Sequence, residues 1–262
     1  MQVAVLRSGL QLPYIEQGDR DGIPVVMLHA WLDSRRYFDQ LLALLPERIR
    51  AFAFDQRGHG DATRPAEGYH LSRFADDVGA FMDVVSVDAA VLAGASSGGY
   101  VAQRFAVDHP GRTLALALLG SPRSLHGRRP PFADAVATLE DPIDAAFVRQ
   151  LNDGMVGRAV PEATMRALCR ENLKVPAHVW RDAFEGLLAA EAPLDTGRIS
   201  APTLIVWGER DSLLPRADQE AMAAQIPGAR LAIYDGVGHL PVIEAPERVA
   251  ADLTALCDTL DR

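Results

Sequence analysis

The sequence has few cysteines, a deficit of positive charge and no long apolar run near its start. Cys169 and Cys257 are the only cysteines among 262 residues, and their spacing fits neither a metal site nor a redox motif, which favours a reducing compartment. There are 26 Lys and Arg residues against 35 Asp and Glu residues, a net charge of −9, and no basic stripe that would neutralise nucleic-acid phosphates. Residues 1–18 contain no long apolar core, so we expect neither a signal peptide nor a membrane span.

These absences predict a cytoplasmic protein that binds a small molecule and neither nucleic acid nor membrane. No HExxH pattern or paired histidine spacing occurs in the sequence, so we expect no metal and no cofactor. Whether the chain forms a homo-oligomer is left open by the sequence.

Short apolar runs alternate with amphipathic stretches over most of the chain. Several runs are nearly continuous in Val, Ile, Leu, Ala or Phe, which is typical of strands buried on both faces of a parallel sheet. The predicted strands span 25–29, 50–54, 90–93, 114–119, 204–207 and 231–234, after an N-terminal strand pair that turns at Ser8 and Gly9. The predicted helices span 37–45, 74–85, 100–107 and 249–256. This alternation predicts a doubly wound α/β core.

One long segment interrupts the alternation of strands and helices. Residues 123–196 show no convincing strand, and prolines separate their helical pieces. We interpret this segment as a helical cap inserted over the carboxyl edge of the sheet, with 1–122 and 197–262 forming the core. A helical subdomain without a role in catalysis is the alternative.

The stretch 94–98 fits the pattern G-x-S-x-G, between a predicted strand and a predicted helix. In that setting the serine lies on a strained turn that exposes its hydroxyl above the sheet. Gly94 and Gly98 suit the turn because strand and helix approach each other closely there. Ser97 is a competing nucleophile, but Ala95 stands where its upstream glycine would be, so the register favours Ser96.

A serine hydroxyl needs an adjacent base, which is oriented by a third group. Of seven histidines, His239 lies in a glycine-flanked loop after the last predicted strand, at the edge where ligands meet α/β sheets. Asp211 follows an earlier strand and a glycine turn, and we predict that it orients the imidazole, with Glu209 as the alternative. The chain order Ser96, Asp211, His239 is the order found in α/β-hydrolases.

The sequence resembles the α/β-hydrolase superfamily over nearly its whole length, in the branch of meta-cleavage hydrolases, enol-lactonases and cofactor-free haloperoxidases. The matching segments are LHAW, FDQRGHG, GASSGG, WGERD and GVGH. The resemblance implies an α/β-hydrolase fold, with a mostly parallel eight-stranded sheet flanked by helices and a helical cap. It also implies that the backbone N–H groups of Ser97 and Trp31 form an oxyanion hole. Two positions differ from the usual pattern: Ala30 replaces a glycine, and Ala62 replaces a frequent serine.

The predicted activity is hydrolysis of a carboxylic ester or lactone through an acyl-enzyme formed on Ser96. Carbon–carbon bond hydrolysis of the meta-cleavage type, and cofactor-free perhydrolysis or haloperoxidation, are the alternatives within enzymes. A non-catalytic small-molecule receptor on the same fold is the alternative from another class.

Aromatic and apolar residues of the cap, together with Trp31, are the candidates for substrate binding, and they suggest an apolar or aromatic substrate. The candidates are Trp31, Phe132, Phe147, Met155, Trp180 and Phe184. Simple packing of the cap on the core is an equally good interpretation of each. Arg123, Arg128 and Arg129 form either a site for a substrate carboxylate or a solvated basic patch.

Overall fold

The computed structural model describes residues 2–260, and its strands form one mixed sheet. The eight strands are β1 (Gln2–Val5), β2 (Gln11–Gln17), β3 (Ile23–Leu28), β4 (Ile49–Phe54), β5 (Ala90–Ala95), β6 (Thr113–Leu119), β7 (Thr203–Gly208) and β8 (Arg230–Tyr234). Their order across the sheet is β1-β2-β4-β3-β5-β6-β7-β8. Strands β3 to β8 are parallel, whereas β2 pairs antiparallel with both β1 and β4. The predicted mostly parallel eight-stranded sheet is confirmed, with strand ends shifted by one or two residues.

Helices cover both faces of the sheet and fill the segment between β6 and β7. They are α1 (Asp39–Leu42), α2 (Leu71–Val84), α3 (Ser97–Asp108), α4 (Ala133–Ala137), α5 (Ala145–Asp153), α6 (Glu162–Asn172), α7 (Ala177–Ala189), α8 (Pro193–Thr196), α9 (Arg216–Gln225), α10 (Pro241–Glu244) and α11 (Pro246–Cys257). Short 3₁₀ turns lie at Arg35–Phe38 and Pro110–Arg112. Within residues 2–260, no helix is both long and apolar enough to cross a membrane.

Alternate side chains of the central strands enter two different apolar cores. In β3, Val26 and Leu28 belong to the core that includes residues of α2 and α3. Val25 and Met27 belong to the opposite core, with residues of α1 and α11. Both faces of the strand are therefore buried, which is the physical reason why its sequence is continuously apolar instead of alternating.

The segment between β6 and β7 is helical, as the sequence predicts, and contains α4 to α8. Three of its prolines lie at helix starts: Pro161 and Pro176 occupy the N-cap positions of α6 and α7, and Pro193 is the first residue of α8. Proline is tolerated there because the first N–H groups of a helix have no partner within it. The division of the chain into a core and a cap with boundaries at 123 and 196 stays a prediction.

The helix after β5 begins earlier than its apolar pattern suggests. The prediction placed it at 100–107, whereas α3 starts at Ser97 and includes Gly98 and Gly99 in its first turn. Glycine has a low helix propensity, so periodicity and propensity together miss this turn. Packing of this first helical turn against the end of β3 holds it in place.

A buried ion pair fixes the loop after β4 to helix α2. The Arg57 guanidinium donates through Nε and Nη2 to the two carboxylate oxygens of Asp77, at 2.6 and 2.7 Å. Both side chains are almost fully buried. Nη1 donates to the carbonyl oxygen of Gly68 at 3.1 Å. Removal of one partner would leave an uncompensated charge away from water, which is costly.

We predict that Asp77→Ala lowers the free energy of unfolding by about 3–5 kcal/mol, since it strands the Arg57 guanidinium in the interior. The measurement is urea unfolding followed by circular dichroism. The matched control is Glu220→Ala, which removes a solvent-exposed ion-pair partner of Arg216; both residues lie on α9. This variant should lower the free energy of unfolding by less than about 1 kcal/mol. Equal losses in the two variants would contradict the prediction.

Candidate active site

Ser96 lies on a strained turn between β5 and α3. Its φ and ψ angles are 46° and −118°, a conformation that costs a residue with a Cβ atom roughly 1–3 kcal/mol. Its backbone N–H donates to the carbonyl oxygen of Leu119, on the neighbouring strand β6, at 2.9 Å. The turn is thus held by the sheet in a geometry that the chain alone would avoid.

Two glycines make this turn sterically possible. A Cβ atom on Gly94 would lie 2.4 Å from the backbone of Gly98 and Gly99. A Cβ atom on Gly98 would lie 2.1 Å from the carbonyl oxygen of Leu28, at the end of β3. Neither contact involves a side chain that could rotate away. The first turn of α3 therefore packs directly on the backbone of two strands, as the G-x-S-x-G pattern predicts.

The structure brings together the three residues predicted for catalysis. The Ser96 Oγ atom lies 2.9 Å from His239 Nε2, and His239 Nδ1 lies 2.8 Å from Asp211 Oδ2. A carboxylate only accepts hydrogen bonds, so Nδ1 carries the ring proton and Nε2 is left as an acceptor for the hydroxyl. The arrangement can move a proton from the serine hydroxyl to the imidazole.

Asp211, and not Glu209, reaches the imidazole. The second carboxylate oxygen of Asp211, Oδ1, accepts the backbone N–H groups of Leu213 and Leu214 at 2.8 and 2.9 Å. Glu209 is exposed and accepts the N–H of Gly236 at 3.0 Å. The shorter side chain is therefore fixed by its own loop, with one oxygen left for His239.

The histidine at the end of β3 has no ring nitrogen left for a serine. His29 Nδ1 lies 2.8 Å from the carbonyl oxygen of Ala30, and Nε2 accepts the backbone N–H of Gln56 at 3.0 Å. Burial lowers the pKa of His29 well below its usual range. This histidine fixes the loops after β3 and β4.

The two N–H groups predicted for the oxyanion hole lie on the elements next to Ser96. The N–H of Ser97 is the first of α3, where no preceding helical turn supplies an acceptor. The N–H of Trp31 donates to the Ser97 hydroxyl at 2.6 Å. The Ser97 side chain thus lies directly beside the second predicted donor, a contact that the sequence did not reveal.

A cavity of about 390 Å³ opens between the carboxyl ends of the strands and the helical segment. Ser96, His239 and residues of α5 to α7 contribute to its lining. The Trp31 ring stacks on Phe184, with ring centroids 4.7 Å apart, and on Phe132 at 6.1 Å. One part of the cavity wall is therefore apolar and aromatic.

Of the six residues predicted for substrate binding, four line this cavity and two do not. The lining residues are Trp31, Phe132, Met155 and Phe184, whereas Phe147 and Trp180 are absent from the cavity wall of the described chain. Trp180 is fully buried behind Trp31 and accepts its indole Nε1–H on the backbone carbonyl at 3.2 Å. The Phe147 ring packs on Trp180, with centroids 6.2 Å apart. The structure thus places Trp180 of α7 and Phe147 of α5 behind the cavity wall, and their contact with a substrate stays a prediction.

The three arginines of the cap are paired with carboxylates. Arg123 Nη2 lies 2.9 Å from Asp195, and Arg128 and Arg129 form ion pairs with Asp218 and Asp134 respectively. Arg128 and Arg129 also line the cavity. Their charges are largely balanced within the protein, so neither of the two predicted interpretations describes them fully.

Glu244 is a buried carboxylate that the sequence reasoning missed. It accepts backbone N–H groups of the histidine loop, at Gly238 and Leu240, and of the loop after α5, at Gly157 and Arg158; the distances are 2.8–3.2 Å. The backbone N–H of His239 donates to the carbonyl oxygen of Met155 at 2.7 Å. One carboxylate therefore ties the catalytic loop to the helical segment. The available signal was a glutamate five residues after the histidine, inside an otherwise apolar stretch.

Asp33 is a second buried carboxylate that sequence reasoning missed, and it lines the cavity with Ser96 and His239. The Asn172 side chain donates to its Oδ1 atom at 2.9 Å. Burial raises the pKa of Asp33 to about 7, while the Asn172 hydrogen bond and the charge of His239 act in the opposite direction. Its position two residues after Trp31, in the loop after β3, was the sequence signal.

The chain is similar to known proteins over nearly its whole length. A model of the alpha/beta hydrolase family matches residues 25–252. A non-heme chloroperoxidase of Streptomyces lividans is 28% identical over 274 residues, which cover 97% of this chain and 99% of that protein. The bifunctional esterase/perhydrolase DCH of Acinetobacter calcoaceticus is also 28% identical, with coverage of 97% and 99%. Among solved structures, Est816, described as an N-acyl homoserine lactone degrading enzyme, has a TM-score of 0.79 and 28% identity, with coverage of 96% and 98%.

We predict that Glu244→Gln lowers the free energy of unfolding by about 3 kcal/mol, because the amide NH₂ cannot accept the buried N–H groups that face one carboxylate oxygen. Hydrogen exchange of residues 236–240 should become faster in the same variant. The control is Glu209→Gln, which alters an exposed carboxylate with a single N–H partner and should cost less than about 1 kcal/mol. Unchanged stability of Glu244→Gln would show that the loop is held by other contacts.

We predict a pH-dependent gain in stability for Asp33→Asn. The wild-type carboxyl has a pKa of about 7 when folded and an ordinary value of 3.8, so the folded state binds more protons between these values. Wild-type stability therefore falls, relative to the variant, as pH rises from about 4 to 7, by at most about 1.4 kcal/mol per pH unit. Urea unfolding of both proteins between pH 4.5 and 8 measures the difference. A difference that does not change with pH would contradict the raised pKa.

Proposed function

Because the chain belongs to the alpha/beta hydrolase family and is an enzyme of that family, we propose that it is a serine hydrolase acting on a carboxylic ester or a lactone. The observation that carries the proposal is the hydrogen-bonded series Ser96, His239 and Asp211, with contacts of 2.9 and 2.8 Å, of which Ser96 and His239 line the cavity. Similarity to proteins described as an esterase and as a lactone-degrading enzyme supports the reaction class.

The proposed reaction has two steps on Ser96. The hydroxyl attacks the substrate carbonyl while His239 takes its proton, and a bond forms between Oγ and the carbonyl carbon. The bond to the leaving alcohol then breaks, and His239 returns the proton to that alcohol. Water hydrolyses the acyl-enzyme by the same route in reverse, with His239 again as base. Asp211 keeps the imidazole in the required tautomer and stabilises the imidazolium.

In the proposed reaction, the N–H groups of Ser97 and Trp31 stabilise the negative charge of the tetrahedral intermediate. One such donor is worth roughly 3 kcal/mol, or about a hundredfold in rate. The Trp31 N–H donates to the Ser97 hydroxyl, so it reaches the oxyanion only when that hydroxyl rotates about its Cα–Cβ bond. The positive end of the α3 dipole acts in the same direction.

The aromatic wall of Trp31, Phe132 and Phe184 favours an apolar or aromatic substrate. The volume of about 390 Å³ is at the small end of the range for ligand sites, which favours a compact ester or lactone. A cytoplasmic location stays a prediction from the sequence, and whether the chain forms a homo-oligomer stays open.

Cofactor-free perhydrolysis is the second candidate, and the similarity to a chloroperoxidase and to an esterase/perhydrolase favours it. The two reactions share the acyl-enzyme and differ only in the nucleophile of the second step, hydrogen peroxide in place of water. A comparison of acetate and peracetate formation from the same ester at increasing peroxide concentrations would separate them.

We predict that Ser96→Ala abolishes both hydrolysis of 4-nitrophenyl esters and labelling by a fluorophosphonate, because it removes the attacking oxygen while leaving the fold intact. The matched control is Ser97→Ala, which deletes the neighbouring hydroxyl and should keep covalent labelling. Mass spectrometry of the labelled protein would locate the adduct. Labelling of Ser96→Ala, or an adduct on Ser97, would refute the assignment.

A further inference from the structure

Besides Ser96, His239 and their neighbours Ser97 and Ser212, and besides the ion-paired Arg128 and Arg129, the cavity has one further group of polar side chains, on the side of α5 and α6. Asn172 of α6 uses both amide hydrogens, toward the carbonyl oxygen of Leu32 at 3.1 Å and Asp33 Oδ1 at 2.9 Å. Its own side-chain oxygen accepts the amide of Asn152 at 2.7 Å. Asp33, Asn152 and Asn172 are each at least 95% buried and line the cavity. We call these three residues the polar cluster.

Two acceptor oxygens of the polar cluster have no partner among residues 2–260. They are Asp33 Oδ2 and Asn152 Oδ1. Asn172 donates only to the other carboxylate oxygen of Asp33, Oδ1. Asn152 donates through its amide nitrogen to Asn172 and to the carbonyl oxygen of Val148, so its own side-chain oxygen is not used. The fully buried side-chain atoms without a hydrogen-bond partner do not include either oxygen. Each of the two oxygens therefore keeps some solvent-accessible surface. A carboxylate and an amide oxygen without a partner in a small cavity are costly unless a donor reaches them.

The fixed amide orientations determine which chemistry fits. The Asn172 amide is held by two acceptors, so its nitrogen cannot turn toward the cavity. The Asn152 nitrogen is held by Val148 and Asn172, which leaves its oxygen outward. When Asp33 is ionised, above its pKa of about 7, the polar cluster therefore presents acceptors to the cavity. A ligand group that complements it at that pH must be a hydrogen-bond donor.

We propose, on the basis of the function proposed above, that Asp33 Oδ2 and Asn152 Oδ1 form an acceptor subsite, and that the substrate is an ester or lactone with a neutral hydroxyl or amide N–H near the scissile carbonyl. The neutral class follows from the surroundings. An ammonium group would lose its hydration in a cavity that also contains the Trp31 and Phe132 rings, and its attraction to one carboxylate would offset only a small part of that desolvation cost. A neutral donor loses less hydration free energy than an ammonium group and can donate hydrogen bonds to the same two oxygens.

Asp33 also borders a second hollow of about 300 Å³, formed mainly by residues of α6 and the loop after β3. Asn152 lines only the cavity that contains Ser96. The two residues therefore provide separate tests of where the donor binds. If the subsite faces the catalytic cavity, a change at either residue must alter the same substrate preference.

The test compares isosteric substrates that differ only in the donor. The esters are 4-nitrophenyl 3-hydroxybutanoate and 4-nitrophenyl 3-methylbutanoate, and the lactones are γ-butyrolactone with an α-acetamido or an α-acetonyl group. We expect the wild-type enzyme to prefer the donor-bearing member of at least one pair by tenfold or more in kcat/KM, since the analogue leaves buried acceptors unpaired. Ratios below threefold in both pairs would overturn the proposal.

Variants of the polar cluster assign that preference to its oxygens. Asp33→Leu and Asn152→Leu should each reduce the preference at least fivefold, and Asn152→Leu keeps the test available if the first variant does not fold. The control is Asp39→Asn, a partly exposed carboxylate of the second hollow, which should keep the wild-type ratio. An unchanged ratio in both Leu variants would overturn the proposal.

Two further results separate this inference from the proposed function. A higher kcat/KM for 4-nitrophenyl 3-aminobutanoate than for the hydroxy ester would show that the subsite selects a cation, and would overturn the neutral class. If Ser96→Ala loses all activity and the wild-type ratios stay near one, the serine mechanism stands and the acceptor subsite fails. If Ser96→Ala keeps its activity, the proposed function fails first.

Discussion

The close contact between the first turn of α3 and the end of β3 is the constraint on which the site depends. At Gly98 the helix backbone lies so near the carbonyl oxygen of Leu28 that no side chain fits between them. Ser96 immediately precedes this helix and Trp31 follows this strand, so the contact sets the distance between the nucleophile and both predicted oxyanion donors. The strain at Ser96 is sustained because strands β3 and β6 fix the backbone on either side.

A second constraint couples the catalytic loop to the helical segment. Glu244 collects N–H groups from the residues around His239 and from the loop after α5, and Met155 accepts the N–H of His239 itself. The imidazole is therefore positioned by both parts of the chain. In the proposed mechanism, the helices that line the cavity therefore also help to position the base, so that substrate binding and proton transfer would be linked through backbone hydrogen bonds.

The polar cluster contrasts with the Arg57–Asp77 pair in the same molecule. Asp77 is buried with a bidentate cation and stabilises the fold, whereas Asp33 is buried with amides and forms no ion pair among the described residues. A carboxyl group buried without a cation lowers stability near neutral pH. Asp33 lines the same cavity as Ser96 and His239. The loss of stability has a physical rationale if Asp33 Oδ2 accepts a hydrogen bond from a substrate, as proposed above.

The sequence by itself determined the strands of the sheet and the choice of Ser96, Asp211 and His239 as the candidate catalytic residues. Strands buried on both faces must be continuously apolar, and the turn at Ser96 requires glycines at fixed spacing, so both leave local signals. The tertiary structure alone decided the side-chain partners. Phe147 and Trp180 turned out to pack behind the cavity wall, while Asp33 and Glu244 proved to be buried beside the site. Helical periodicity shows that a residue is apolar but not which of two buried surfaces it meets, and a buried carboxylate is recognisable only once its distant hydrogen-bond donors are in place.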